Sequence, residues 1–347
     1  MPTTVRAWAA PGAGEPLEPI TITRRDLRPD DIRIRIVAAG ICHSDIHTVR
    51  GEWGAKTYPI APGHEIAGEV VEVGSAVTKF AVGDRAGVGC MVDSCGQCEA
   101  CADGEEQYCT GALVWTYASE YPDGEIAQGG YSQEIVVTER FALHIPASIP
   151  FETAAPLLCA GITTYSPLEH WAVGPGTKVA VVGLGGLGHM GVQIAHALGA
   201  EVTVLSQTDR KASDSARFGA VAHRATADRA VFRELRESFD FILNTVSAGI
   251  NLSDYLGLLR RNGVMVNVGM PTEPLPVVLP QLIGRRRSLS GSNIGGIAQT
   301  QRMLDFCAEH GIAAEVEVIG AEQINEAYDR VVNSDVRYRF VIDTATL

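Results

Sequence analysis

The sequence predicts an α/β protein of two domains, a β-rich N-terminal domain followed by one built on a parallel sheet. Three observations carry the prediction. At 347 residues the chain exceeds the roughly 250–300 at which a single hydrophobic core stops growing. Up to about residue 152, short runs alternate apolar and polar residues between glycine-marked turns, the texture of antiparallel strands. From Thr153 to Arg287, strand-like runs alternate with helical windows, the signature of βαβ units.

Composition agrees and narrows the function. With 46% hydrophobic residues against 20% charged, the chain is globular, and disorder or collagen-like repeats are excluded. A net charge of −13, with no basic tract longer than Arg285-Arg286-Arg287, argues against a nucleic-acid partner. No apolar run reaches the roughly 18 residues of a membrane span, and Met1-Pro2-Thr3-Thr4-Val5-Arg6 begins no secretory core. The expectation is a cytoplasmic protein without a membrane partner. In that reducing setting its eight cysteines should be ligands, nucleophiles or small core residues rather than disulfides.

Taken in order, the first firm element is Ile32-Arg33-Ile34-Arg35-Ile36-Val37, whose alternation predicts a strand with one face on a core. Two turns carrying histidines follow, Gly40-Ile41-Cys42-His43-Ser44-Asp45-Ile46-His47 and Tyr58-Pro59-Ile60-Ala61-Pro62-Gly63-His64-Glu65. Glu69-Val70-Val71-Glu72-Val73 and the turn from Val82 to Arg85 continue the strand pattern. Cys95, Cys98, Cys101 and Cys109 come next, separated by two, two and seven residues. Two-residue gaps let successive thiolates converge, and a short loop brings the fourth to close a tetrahedron around Zn²⁺. Such a site is closed and does no chemistry; it predicts a structural zinc lobe, residues 90–115, inserted in the β-rich domain. Pro122-Asp123-Gly124 and Gly129-Gly130 read as further turns.

In the second domain the strand-like runs are Lys178–Val182, Glu201–Leu205, Phe239–Val246 and Gly263–Val268. Gly183-Leu184-Gly185-Gly186-Leu187-Gly188 follows the first run and opens a helix expected to reach about Leu198, where Gly199 ends it. In this order the glycines are a dinucleotide fingerprint. Gly183 makes the tight turn, Gly185 lets the backbone approach the pyrophosphate, and Gly188 lets helix pack on strand. The pyrophosphate then meets the positive end of the helix. An NAD site ends its second strand with an acidic residue for the ribose 2′-hydroxyl; here Ser206-Gln207-Thr208-Asp209-Arg210-Lys211 stand instead. The hydroxyls of Ser206 and Thr208 and the cations of Arg210 and Lys211 suit a 2′-phosphate. They predict NADP(H), with Asp209 cutting the other way. After Ser288 a strand, helices at about Ala298–Glu309 and Glu322–Asn333, and a terminal strand Tyr338–Asp343 are legible, but pattern alone does not place them.

A catalytic zinc needs three protein ligands and an open position. Cys42, beside two histidines, His64, and Cys159, where the β-rich domain hands over to the βαβ domain, form a Cys₂His set at an expected cleft. Spacing alone leaves the set open, because its members are far apart in sequence. Cys90 and Cys307 lack such company and read as core residues.

Together these residues resemble the zinc-dependent medium-chain alcohol dehydrogenases, and within them the cinnamyl-alcohol-dehydrogenase-type, NADP-dependent branch. The resemblance runs nearly end to end. It rests on Gly40 to His47, Pro62 to Glu65, the four-cysteine lobe, Leu158 to Tyr165, Gly183 to His189, Ser206 to Lys211, Gly291 to Gly295 and Asp335 to Val341. Gln207 departs from the small hydroxyl residue of many plant members. The resemblance implies a GroES-like catalytic domain at 1–152 and 291–347, around a doubly wound Rossmann domain at 153–290. It implies two zinc ions per chain, the catalytic one on Cys42, His64 and Cys159, with Glu65 as a nearby acid or occasional fourth ligand. Asp45 would accept the other ring N–H of His64. Thr163 would touch the nicotinamide, His43 and Arg339 the pyrophosphate, and Ser292 and Asn293 would also contact the cofactor. Trp115 stands at the family's aromatic wall, with Trp53 and Ile294 as weaker substrate contacts, and a homodimer is implied.

The expected reaction is reversible hydride transfer between a primary alcohol or aldehyde and nicotinamide C4. Ser44 would take the alcohol proton and pass it through the cofactor ribose to His47, an imidazole suited to exchange with solvent. A reductase for imines or activated alkenes is the alternative on the same scaffold. Its mark would be loss of Ser44, His47 or Glu65, and the chain keeps all three.

Overall fold

The structure, a computed structural model, describes residues 2–271 and 273–347; Met1, where the first expected domain begins, and Thr272 lie outside them. The chain forms two compact units, Met1–Ile162 with Gly295–Leu347, and Thr163–Ile294. The divide between them falls inside the helix Ala160–His170.

The first unit is organised on a mixed sheet around Asp31–Gly40. That strand pairs antiparallel with Ile66–Val73, Glu134–Thr138 and the terminal strand Arg339–Asp343. Val316–Ile319 joins parallel to Arg339–Asp343, while Arg85–Val88 and Ala142–His144 extend the sheet from Ile66–Val73. Of the two C-terminal strands that pattern left unplaced, the terminal one lies inside the first sheet, where Val341 pairs with Gly40 across almost the whole chain, and Ser288–Gly291 joins the sheet of the second unit. Ile32, Ile34 and Ile36 are buried as the alternation predicts, each such side chain contributing about 1.5–3 kcal/mol. Arg33 departs from it. Strands on both sides enclose it, and its guanidinium donates to Glu72 at 2.9 Å and Glu134 at 3.3 Å.

The four-cysteine lobe is more ordered than a loop. It holds the strand pair Met91–Asp93 and Val114–Trp115, a helical turn Glu99–Ala102 and a 3₁₀ turn Glu106–Tyr108.

The second unit carries a parallel sheet in the order Ala222–Ala225, Glu201–Ser206, Lys178–Val182, Phe239–Asn244, Leu259–Asn267, Ser288–Gly291. In sequence terms this is the 3-2-1-4-5-6 order of dinucleotide-binding sheets, and it reverses at Lys178–Val182. Val179, Ala180, Val181 and Val182 are all buried, as expected for a strand covered on both faces. The following helix, Gly188–Ala197, ends at Leu198, and Gly199 takes a φ of +89°.

Candidate active site

Cys42, His64, Glu65 and Cys159 are buried, with ligand atoms all within 4.8 Å of one another. Each comes from the end of an element of the first unit. Cys42 precedes the helix His43–Val49 as its N-cap, His64 and Glu65 enter the strand Ile66–Val73, and Cys159 ends the 3₁₀ turn Ala155–Leu158. His64 Nε2 lies 3.3 Å from Cys159 Sγ. A tetrahedral zinc, with Zn–S about 2.3 Å and Zn–N about 2.0 Å, sets S and N about 3.5 Å apart, so the donor set fits that ion.

His64 is held for this task by Asp45. The ring Nδ1–H donates to Asp45 Oδ1 at 3.0 Å, which leaves the Nε2 lone pair toward the thiols. Asp45 is fully buried and also accepts from Cys42 N–H at 2.9 Å, Gly63 N–H at 3.2 Å and Tyr131 OH at 3.4 Å. Tyr117 stacks on the imidazole at 5.9 Å between centroids. Without an ion the two thiols share protons unequally. Cys42 falls well below the ordinary thiol range through Cys159, with His64 and Arg339 adding to the effect, while Cys159 rises well above it beside Cys42 and Cys90.

Glu65 points its Oε1 at Arg339, whose Nη2 donates to it. Among the described residues, Glu65 Oε2 and Arg339 Nε have no partner. Burial lifts the Glu65 carboxyl to about 7 against the opposing pull of Arg339. The sequence reading put Arg339 at the pyrophosphate and did not anticipate this buried pair. Glu65 and Arg339 are 274 positions apart, and neither motif names the other.

Cys95, Cys98, Cys101 and Cys109 form a second cluster, half-buried and with all four thiols free. Cys95 Sγ and Cys101 Sγ are 4.0 Å apart, near the roughly 3.8 Å edge of a zinc–thiolate tetrahedron. Backbone N–H groups of Cys101 and Thr110 bring Cys98 down to about 6. Four such thiols saturate a zinc ion and leave it no open position.

In the second unit Gly183 turns the chain with a φ of +90°. A Cβ on Gly188 would fall 2.0 Å from Gly183 O, so only glycine lets helix and strand approach there, whereas Gly185 faces open space. That bare backbone at the start of a ten-residue helix fits a pyrophosphate. Gly186 and Leu187 complete the turn, and Lys211 Nζ donates to Leu184 O at 2.9 Å, tying the selector segment to the glycine loop. Ser206 ends its strand half-buried, Thr208 and Arg210 are exposed beyond it, and Asn293 is exposed near the half-buried Ser292. Thr163 is buried.

The family comparisons cover both units. A sequence family described as "Alcohol dehydrogenase GroES-like domain" matches residues 28–147, and one described as "Zinc-binding dehydrogenase" matches residues 186–309. An NADP-dependent alcohol dehydrogenase C of Mycolicibacterium smegmatis is 59% identical over 346 residues, covering 99% of both chains. The chain belongs to the zinc-binding medium-chain alcohol dehydrogenases. An aldehyde reductase of Escherichia coli is 53% identical over 349 residues, with 99% of each chain covered. Among solved structures, a cinnamyl alcohol dehydrogenase from Sorghum bicolor superposes with a TM-score of 0.96 at 43% identity, over 99% of this chain and 98% of that one. A "CAD from Helicobacter pylori complexed with NADP(H)" gives 0.94 at 42% identity, over 99% of each. The protein is an NADP(H)-dependent alcohol and aldehyde oxidoreductase whose cofactors are zinc, at two ligand clusters, and NADP(H).

The structure of this dehydrogenase also places the remaining predicted residues. Ser44 Oγ lies 3.7 Å from Cys42 Sγ, and His43 is exposed. His47 pairs through Nδ1 with Glu52 and stacks on Trp53 at 5.1 Å. Trp115 is 37% exposed, so it is not a core residue of the lobe, whereas Ile294 is buried with a φ of +37°. Tyr131 and the Glu65–Arg339 pair are what sequence reasoning missed. Its only signal for Tyr131 was the glycine pair ahead of it, which read as a turn.

Proposed function

We propose that Cys42, His64 and Cys159 hold the zinc at which a primary alcohol or aldehyde reacts, and that Cys95, Cys98, Cys101 and Cys109 hold a structural zinc. The observation that carries this is the His64 ring, whose Nδ1–H is committed to Asp45 while its Nε2 faces two buried thiols. When bound, zinc supplies Lewis-acid chemistry at the substrate oxygen. Two thiolates and a neutral imidazole would offset the charge of the dication.

The domain that catalyses is assigned as 1–152 with 291–347, and 153–290 binds the dinucleotide. Gly183, Gly185, Gly186, Leu187 and Gly188 receive the pyrophosphate, with His43 as a ring N–H donor and Arg339 as a cation toward it. Ser206 and Thr208 donate to the 2′-phosphate, and Arg210 and Lys211 neutralise it. Thr163, Ser292 and Asn293 position the nicotinamide end. Ser44 accepts the alcohol proton while releasing its own through the cofactor ribose to His47, which, braced by Glu52, returns it to solvent. Glu65, held by Arg339, supplies a reserve carboxylate beside the ligands. Trp115 and Trp53, with Ile294, present apolar surface to the substrate chain.

The working form is a cytoplasmic homodimer. Among the described residues, no helix is long and apolar enough to cross a membrane. Val278, Leu279 and Ile283 are exposed in the segment leading to the edge strand Ser288–Gly291, and that apolar edge supports pairing of two copies.

A side-by-side turnover screen of aldehydes, primary alcohols and cyclic imines with NADP(H) and NAD(H) tests this reading. The expected result is aldehyde reduction with a preference of about tenfold or more for NADPH, equivalent to about 1.4 kcal/mol or more. Faster turnover of imines, or equal use of NADH, contradicts it.

A further inference from the structure

We propose that Tyr131 is a positioning residue for the metal-binding imidazole, holding His64 through the Asp45 carboxylate and through Gly63. The proposal rests on the reading of Cys42, His64 and Cys159 as a zinc site. Tyr131 follows Gly129-Gly130 and is fully buried. Its main chain is stitched to the turn that carries the histidine. Gly129 N–H donates to Ala61 O at 2.7 Å, Gly130 N–H to Gly63 O at 2.9 Å, and Tyr131 N–H to Pro62 O at 2.9 Å.

The side chain adds two contacts. A Cβ at Gly63 would fall 2.6 Å from Tyr131 Cδ1, and Gly63 has a φ of +104°. The ring thus fills the space that a side chain ahead of His64 would need, and with the backbone bonds it fixes the path of the turn. Its hydroxyl donates to Asp45 Oδ2 at 3.4 Å. On the far side Tyr328, from the helix Ile324–Val332, packs edge-on against the Tyr131 ring at 6.5 Å between centroids.

Asp45 needs these donors because a buried carboxylate without hydrogen bonds is costly. Oδ1 serves Gly63 and His64, while Oδ2 is held by Cys42 N–H and Tyr131 OH. Removing the hydroxyl leaves Oδ2 with the single backbone bond to Cys42 among these donors. The carboxylate then gains freedom to rotate, and the imidazole it orients is less firmly aimed at the metal. Outer partners of metal ligands change metal affinity by about 10–100-fold.

The test compares wild type, Tyr131→Phe and Tyr255→Phe, the last a buried tyrosine of the other unit, as zinc-loaded and cobalt-exchanged holoenzymes. Zinc affinity is measured by competition with a chromogenic chelator, cobalt absorption reports ligand geometry, and circular dichroism reports fold. In Tyr131→Phe one of the two metals should bind about tenfold more weakly, with shifted cobalt bands and an unchanged fold. The four-cysteine metal and Tyr255→Phe should match wild type. Tyr131→Phe with wild-type affinity and cobalt bands overturns the proposal, and so does equal weakening of both metals. Wild type that holds only the four-cysteine metal overturns the zinc-site reading on which the proposal rests.

Discussion

Ser206 ends the strand Glu201–Ser206 half-buried, where an acidic residue would hold a ribose 2′-hydroxyl in an NAD site. Ser206→Asp sets a carboxylate against the cofactor's 2′-phosphate while offering an acceptor to an unphosphorylated ribose. The ratio of kcat/KM for NADPH over NADH should fall by about tenfold or more, which is about 1.4 kcal/mol of discrimination. An unchanged ratio places the selector elsewhere. The proposed selector could be picked out because it lies at a fixed offset from the glycine fingerprint. The Glu65–Arg339 pair was not, since a turn carboxylate and a strand arginine reveal their partnership only when Arg339–Asp343 pairs with Asp31–Gly40. Tyr131 was hidden differently. Its ring matters through Gly63 and Asp45, and the sequence around it signals only a turn.

At the scale of elements, apolar runs bounded by glycine read well because burial on both faces leaves little choice of residue. Lys178–Val182 was anticipated to the residue, and Glu201–Ser206 to within one. Ends set by hydrogen bonding rather than hydropathy read less well. The strand expected at Gly263 begins at Leu259, and the helix expected from Glu322 opens as a 3₁₀ turn at Ala321–Gln323 before Ile324–Val332. The junction most sensitive to a single atom is Gly188, where helix Gly188–Ala197 meets the turn after Lys178–Val182. Gly188→Ala forces a Cβ to within 2.0 Å of Gly183 O, and overpacking of this kind costs about 1–3 kcal/mol. NADPH binding, followed by fluorescence titration, should weaken, and the thermal midpoint should drop. Wild-type values for both would remove the close-packing account of that glycine.

Over the whole molecule, the two metal clusters differ in how the chain builds them. The four cysteines lie within fifteen consecutive residues, so local spacing alone revealed their chemistry. Cys42, His64 and Cys159 come from three element ends of the first unit, and their convergence depends on the completed sheet. The residues suggested that set and spacing left it open; the resemblance implied it, and the folded chain brings it together. The compact cluster is closed by its own ligands, whereas the distributed one brings together two buried thiols and a buried imidazole beside Glu65. The central claim is that substrate chemistry belongs to the distributed cluster. Its most direct test is aldehyde turnover by Cys159→Ala, with zinc counted in the same sample. Zinc falling from about two to about one per chain, with turnover abolished and NADPH still bound, is the predicted result. A variant that still reduces aldehydes at the wild-type rate would contradict the account.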